Sequence, residues 1–152
     1  LYTMPALTLW YSKPMMERKR GAIIITSSDG GIIGAPYIQT YSATKAYGLM
    51  LAESMWGEMH GTGVDVSAVL PGNTIGQNYS DVPPGTPGFQ TGAEVVVEAF
   101  DHLGDYPCWI SGQHNRERVK DIFQAEKRRE NILYRKDVME ENIKLYGKGE
   151  RF

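Results

Sequence analysis

One cysteine, Cys108, stands among 152 residues, so no internal disulfide can staple this chain, and a disulfide-dense secreted scaffold is excluded. Long apolar runs are missing too. The strand-like stretch Ala22-Ile23-Ile24-Ile25 is far shorter than the ~20 residues that cross a bilayer. Charge of one sign is not in excess: the formal net charge is -2, which disfavours a general binder of nucleic acid or of anionic membranes. His60, His102 and His114 share no metal-ligand spacing, so no metal site is expected. There is no internal repeat, no low-complexity segment and no secretory leader pattern. A cytoplasmic protein without a membrane or nucleic-acid partner is expected. The chain starts at Leu1 rather than Met, within a segment that already reads as helix.

What is present is enough to build a core: 41% of residues are hydrophobic and 22% charged, in a chain of ordinary single-domain length. Met4 to Lys19 reads as a helix carrying Leu7, Leu9, Trp10, Met15 and Met16, bent or shifted by Pro14 and ended by Gly21. Ala22 to Thr26 is short, β-branched and apolar on both faces, as a buried parallel strand is. A glycine-rich loop, Asp29 to Pro36, leads to a helix from Thr40 to Met59, which Gly61 and Gly63 close. Val64 to Leu70 is a second buried strand, broken by Pro71-Gly72. Residues 73–91 read as a long irregular loop, Gly92 to Leu103 as a helix, Pro107 to Ser111 as a third strand, and Asn115 to Tyr146 as helical segments ending at Gly147. Alternation of this kind specifies an α/β fold with a parallel sheet.

Charge is uneven along the chain. Residues 112–152 hold 11 of the 16 Lys and Arg residues and 8 of the 18 Asp and Glu residues. Mixed signs at helical spacing read as a solvated helix face rather than a basic docking surface.

Three features fall where an open parallel sheet places its active site, beyond the carboxyl ends of its strands. They are Ser27-Ser28 after the first strand, Tyr41 with Lys45 at the start of the next helix, and Pro71-Gly72 after the second strand. Four residues apart, Tyr41 and Lys45 share a helix face. A phenol titrates near ~10, and an adjacent ammonium favours its phenolate, so the pair makes a sensible acid/base unit. A hydroxyl from Ser28 would hold a substrate oxygen. Taken alone, Tyr-x-x-x-Lys is a weak signal, equally met by an ordinary helix tyrosine and an exposed lysine.

The joint pattern is specific. Tyr41-Ser42-Ala43-Thr44-Lys45, preceded by Ile23-Ile24-Ile25-Thr26-Ser27-Ser28 and followed by Val69-Leu70-Pro71-Gly72, resembles the short-chain dehydrogenase/reductase family. Ser28 and Tyr41 lie 13 residues apart, the spacing of that family's short type. Ala46 and Gly63-Val64-Asp65-Val66 resemble it as well, and the likeness covers about residues 1–111.

The resemblance implies the C-terminal, catalytic half of a doubly wound, Rossmann-type domain in residues 1–111, with residues 112–152 a charged, mostly helical extension. It implies an oxidoreductase that interconverts a secondary alcohol and a ketone with NAD or NADP. Tyr41 would be the acid/base, Lys45 would lower its pKa and bind the nicotinamide ribose, and Ser28 would orient the substrate oxygen, with Ser27 as the alternative. Pro71, Gly72 and Thr74 would line the nicotinamide. Relatives place a threonine slightly later, where this chain has Ile75-Gly76. The family's opening strand and glycine fingerprint have no match. Gly30-Gly31-Ile32-Ile33-Gly34 does not lead directly into a helix, so it reads as an active-site loop. The first strand would then present an open apolar edge, and the isolated chain is expected to be poorly soluble or oligomeric.

Several residues carry secondary expectations. Tyr79, Val82, Pro83, Pro84 and Phe89 would line a lid over a hydrophobic substrate, or simply pack the loop. Trp10, Met50, Met55 and Trp56 would be core, or contacts of a homodimer or homotetramer formed through helices 4–19 and 40–59 as relatives do. Cys108 would be a buried core thiol. Two rival readings are a non-catalytic binding or oligomerisation module and the extended branch of the superfamily, which acts on nucleotide sugars. The 13-residue spacing opposes the latter, and Lys45, where dehalogenating relatives carry arginine, opposes those.

Overall fold

The computed structural model describes residues 2–76 and 79–146. Helix α1 (Thr3–Glu17) leads to strand β1 (Gly21–Thr26), a single 3₁₀ turn (Asp29–Gly31) and helix α2 (Gln39–Met59). Strands β2 (Val64–Leu70), β3 (Asn73–Ile75) and β4 (Phe89–Thr91) follow, then α3 (Gly92–Asp101), β5 (Cys108–Ile110), α4 (Gln113–Val119) and α5 (Ala125–Tyr146). The main sheet has the order β1-β2-β5, and both pairings are parallel.

Register decides which residues become core. Ile23 pairs with Val66 and Ile25 with Ala68, so alternate residues of both strands point to the same face. There Ile25, Val64, Val66, Ala68 and Leu70 pack on Leu49, Ala52, Met55 and Met59 of α2, with Met4, Met15 and Met16 of α1 at the rim. The opposite face is shorter: Val69 packs on Val95 and Ala99 of α3, against Ile24. Helices thus cover both faces of the parallel sheet, the doubly wound arrangement. Central β2 is buried along almost its whole length, because it has a strand on each side and a helix on each face. Among the described residues β1 has a strand partner on one side only.

Several elements differ from the sequence expectation. Helix α1 runs through Pro14 but ends at Glu17, and the left-handed residue that turns the chain is Lys19 (φ 51°), not Gly21, which opens β1. Leu7, Leu9 and Trp10 are exposed, Trp10 at 75%; the inward face of α1 carries the buried Thr8 and Ser12 together with the half-buried Met4, Met15 and Met16. Their hydroxyls donate to the Pro5 and Leu9 carbonyls, which satisfies them inside the fold. Of the four helix residues expected in the core, Met55 is buried and Trp56 packs at its rim, whereas Trp10 and Met50 face outward.

The loop over residues 73–91 is less irregular than its composition predicts, since β3 and β4 pair in parallel with Thr74 opposite Gln90. Strands of three residues leave too little alternation to be read from sequence. Gln77 and Asn78 of that loop, Leu1, and Gly147 with the residues after it lie outside the described residues. Helix α3 starts at a capping box, in which Thr91 Oγ1 accepts from Glu94 N and the Glu94 carboxylate accepts from Thr91 N.

The charged C-terminal helices are not a uniformly solvated face. Val119 and Ile122 close a second apolar cluster with Ile33, bordered by Ile32, Ile110 and Ile132. Arg118 and Arg135 turn inward to the Asp29 carboxylate. The expectation of a plain solvated face fails for these two residues, because their partner lies 89 positions upstream of Arg118 and leaves no local trace.

Candidate active site

The site grows out of the ends of β1 and β2. After the strands end, their pairing continues for three residues: Ser27 N donates to the Val69 carbonyl at 2.8 Å and Asp29 N to the Pro71 carbonyl at 3.1 Å. This ties Ser27-Ser28 and Pro71-Gly72 side by side beyond the carboxyl ends of the two strands, where such sheets bind ligands.

The two serines then part company. Ser27 is 2% exposed and its Oγ donates to the Lys45 carbonyl at 2.8 Å, which anchors the loop to α2. Ser28 caps the 3₁₀ turn: its Oγ accepts from Gly30 N at 3.1 Å. The same Oγ lies 3.2 Å from Asp29 Oδ1 and 3.4 Å from the Pro71 carbonyl, either of which can accept its proton. The rotor position of Ser28 is therefore defined from several sides.

Tyr41 and Lys45 stand one turn apart near the start of α2. Lys45 Nζ lies 5.6 Å from the centre of the Tyr41 ring and donates to the Thr26 carbonyl at 3.1 Å, so one of its three donors is spent at the end of β1. Burial pushes the Lys45 ammonium below its ordinary value. Tyr41 is 46% exposed and so accessible to a reactant.

Gly30 and Gly31 show how closely these parts fit. A Cβ on Gly30 would stand 3.3 Å from Tyr41 Cε1 and 3.5 Å from Ser28 Oγ, between the phenol ring and the serine hydroxyl. A Cβ on Gly31 would stand 2.8 Å from the Lys45 carbonyl carbon and 3.0 Å from Ala46 N, the backbone of α2 itself. The turn thus rests directly on the helix that carries Tyr41 and Lys45. Ser28, Tyr41, Lys45 and Pro71 are brought together around it.

Gly72 lies next to Pro71, and a Cβ there would strike the side-chain amide of Asn115. Asn115 is 3% exposed and its Nδ2 donates to the Ser111 carbonyl at 2.8 Å. Thr74 Oγ1 donates to the Gly72 carbonyl at 3.2 Å, within its own turn. Tyr79 and Phe89 meet edge to face, ring centres 5.1 Å apart, and so pack the loop between β3 and β4. His60 stacks on Trp56, and His102 lies 3.4 Å from the Trp109 ring. Cys108 is half-buried rather than fully buried.

Sequence reading missed Asp29, Asn115, Arg118 and Arg135. An acid directly after Ser28 was visible, but its partners come from helices at the far end of the chain. Nothing in the spacing of the arginines marks the two that turn inward.

The chain is similar to known proteins in both sequence and fold. Residues 4–83 match the short chain dehydrogenase family model. The chain is 36% identical over 118 residues to 7beta-hydroxysteroid dehydrogenase of Collinsella aerofaciens, covering 73% of this chain and 45% of that protein. It is 37% identical over 118 residues to the enzyme of the same name from Mediterraneibacter gnavus, with the same coverage. The chain thus spans about half the length of the curated relatives it matches. A solved 7beta-hydroxysteroid dehydrogenase structure superposes with a TM-score of 0.79 at 33% identity, over 89% of this chain and 55% of that one. A short chain dehydrogenase from Burkholderia cenocepacia, solved in complex with NADP, superposes with a TM-score of 0.61 at 25% identity, over 78% of this chain and 49% of that one. With the family model matching more than half of its residues, and with the doubly wound sheet to match, the chain belongs to the short chain dehydrogenase family.

Proposed function

We propose that this chain supplies the catalytic half of an NAD(P)-dependent oxidoreductase that interconverts a secondary alcohol and a ketone. Tyr41 donates or accepts the proton at the substrate oxygen, Lys45 favours the tyrosine's phenolate, and Ser28 holds the substrate oxygen. The observation that carries the reading is the convergence of the Tyr41 ring and the Ser28 hydroxyl on the space beside Gly30, with the Lys45 ammonium next to the ring.

The residues suit the nicotinamide-ribose end of a dinucleotide. Lys45 keeps donors beyond the one given to Thr26, and Pro71 and Gly72 follow the end of β2, with Thr74 tied to the Gly72 carbonyl. Bound there, the nicotinamide would supply or take the hydride. The turn at residues 30–31 does not suit a pyrophosphate, since Gly31 packs directly on the α2 backbone and leaves no open glycine cradle. We assign residues 1–111 to the catalytic half and residues 112–152 to a helical extension.

A hydroxysteroid is the substrate class we favour, from the identity to enzymes of that name and from the apolar residues of the loop between β3 and β4. Exposed Leu7, Trp10 and Tyr11 on α1, with Met50 on α2, would form the surface through which copies pair. Among the described residues no helix is long and apolar enough to cross a membrane.

The test is Tyr41→Phe in the full natural protein, assayed with a 7β-hydroxysteroid and each oxidised nicotinamide nucleotide. Turnover should fall by about 10² to 10⁴-fold, the usual worth of a positioned acid/base, with nucleotide binding kept. Unchanged turnover would remove Tyr41 from the chemistry.

A further inference from the structure

Asp29 follows Ser28 directly and is only 8% exposed, so its charge must be paired inside the fold. The pairing is divided between its two oxygens. Oδ2 receives the Arg118 guanidinium of α4 and, at 3.5 Å, that of Arg135 of α5. Oδ1 faces the Ser28 hydroxyl at 3.2 Å. With Oδ2 held by two planar cations, rotation of the carboxylate is blocked and Oδ1 stays aimed at Ser28. Ser28 Oγ also accepts from the Gly30 N–H.

The same helices grip the rest of the segment that joins Ser28 to the Tyr41 helix. Arg128 donates to the Ile32 carbonyl at 3.3 Å, and Tyr37 donates to Glu140 at 2.5 Å. Ile33 is 1% exposed beneath Val119 and Ile122. Residues 29–37 are therefore clasped along their length by the C-terminal helices. The clasp coincides with the one segment whose two ends carry Ser28 and Tyr41.

We propose that Asp29 is a positioning residue for Ser28, set by Arg118 and Arg135, so that α4 and α5 hold the geometry of the catalytic turn. Asp29 does not touch substrate. In the free site Asp29 Oδ1 takes the single Ser28 hydroxyl proton and so sets the rotamer. When substrate binds, that proton turns to the substrate oxygen, so the effect of Asp29 on turnover rests on the oxidoreductase reading above. A merely structural ion pair would cement the tail without regard to Ser28, and the two roles separate in a double-mutant cycle.

The experiment uses the full natural protein with a 7β-hydroxysteroid and its nucleotide. Asp29→Ala should lower kcat about 10- to 100-fold, the effect of a small misplacement of a catalytic group, while KM for the nucleotide stays within about two-fold. Asp29→Asn keeps an oxygen for the Ser28 hydroxyl and should recover much of that loss. In a Ser28→Ala background, replacing Asp29 should cost nothing further. Arg118→Met should lower kcat in the parent and leave it unchanged once Asp29 is already Ala. Amide hydrogen exchange of residues 29–38 should rise in Asp29→Ala and in Arg118→Met.

If Asp29→Ala does not fold, Arg118→Met carries the same cycle against Ser28→Ala. An equal loss from Asp29→Ala or Arg118→Met with and without Ser28, or no loss in either of these variants when folded, overturns the positioning role while the oxidoreductase reading stands. Full turnover in both Tyr41→Phe and Ser28→Ala sinks that reading, and this proposal with it.

Discussion

Ser27 and Lys45 are bound to each other's surroundings: Ser27 Oγ donates to the Lys45 carbonyl at 2.8 Å, and Lys45 Nζ donates to the carbonyl of Thr26, the residue before Ser27, at 3.1 Å. The first of the two serines is thereby occupied with backbone, and the second is the one whose hydroxyl borders the Tyr41 side of the turn. Ser27→Ala should cost about 1 kcal/mol of stability, the net worth of one hydrogen bond, and leave kcat within about three-fold. Ser28→Ala should cost about 1–3 kcal/mol of stability, because it leaves the Gly30 N–H and Asp29 Oδ1 without their partner, and should also lower kcat by about 10²-fold. Thermal melts and steady-state kinetics on the two variants decide it. A larger kinetic loss in Ser27→Ala would exchange their roles.

The two glycines of the turn separate stability from chemistry in another way. At Gly31 an added methyl meets the α2 backbone, which cannot swing aside as a side chain does. Gly31→Ala should destabilise by about 1–3 kcal/mol, the range for overpacking, with a matching fall in melting temperature. At Gly30 the neighbours are the ring edge of Tyr41 and the hydroxyl of Ser28, both side chains that can yield by a few tenths of an ångström. Gly30→Ala should therefore fold well but lose turnover, since the methyl sits where a substrate oxygen has to approach. If Gly30→Ala melts low and turns over normally, the space beside Gly30 is not the reaction site.

Parts of this architecture were legible because they are local. Strand β1 announces itself as a β-branched run, and Tyr41 with Lys45 as a spacing of four on a helix. Which apolar residues of α1 are buried was not legible, because Thr8 and Ser12 satisfy their hydroxyls on carbonyls three residues earlier and so pack inward as small, closed groups. Leu7 and Trp10 are left outside. Pairing of β3 with β4 was hidden by brevity. The approach of Asp29 to Arg118 and Arg135 was hidden by distance along the chain, which no periodicity can report.

Glu98 gives a pH prediction whose sign follows from its surroundings. Burial alone would push its carboxyl up, but hydrogen bonds from Trp109 Nε1, Arg116 and Gly112 N, with the Arg116 charge, outweigh this and hold it below the ordinary value. The unfolded group titrates near ~4.3, so the stabilisation is complete above that pH and is lost as pH falls through the lower folded value. Melts between neutral pH and pH ~3 should show this acid loss in the parent, with a shallower slope in Glu98→Gln. The glutamine variant should also be less stable at neutral pH by about 1–3 kcal/mol, because Arg116 and Trp109 lose a charged acceptor. An unchanged acid slope would show that Glu98 is not the group responsible.

Cys108 tests the packing of β5. Its thiol is pushed up to about 11, first by burial and then by the nearby Glu53 carboxylate. Against an ordinary thiol near ~8.5, that leaves roughly two orders of magnitude less thiolate at pH ~8, and the thiolate is the form that alkylates. Iodoacetamide should therefore modify the native protein slowly, at a rate that climbs steeply with pH, and modify it fast once denatured. Glu53→Gln should raise the native rate by removing the adjacent charge, since Met55 and Met59 keep α2 anchored on the sheet when residue 53 is changed. Rapid labelling of the native protein at pH ~8 would mean that β5 opens readily from β2, in conflict with the pairing of Ala68 with Cys108.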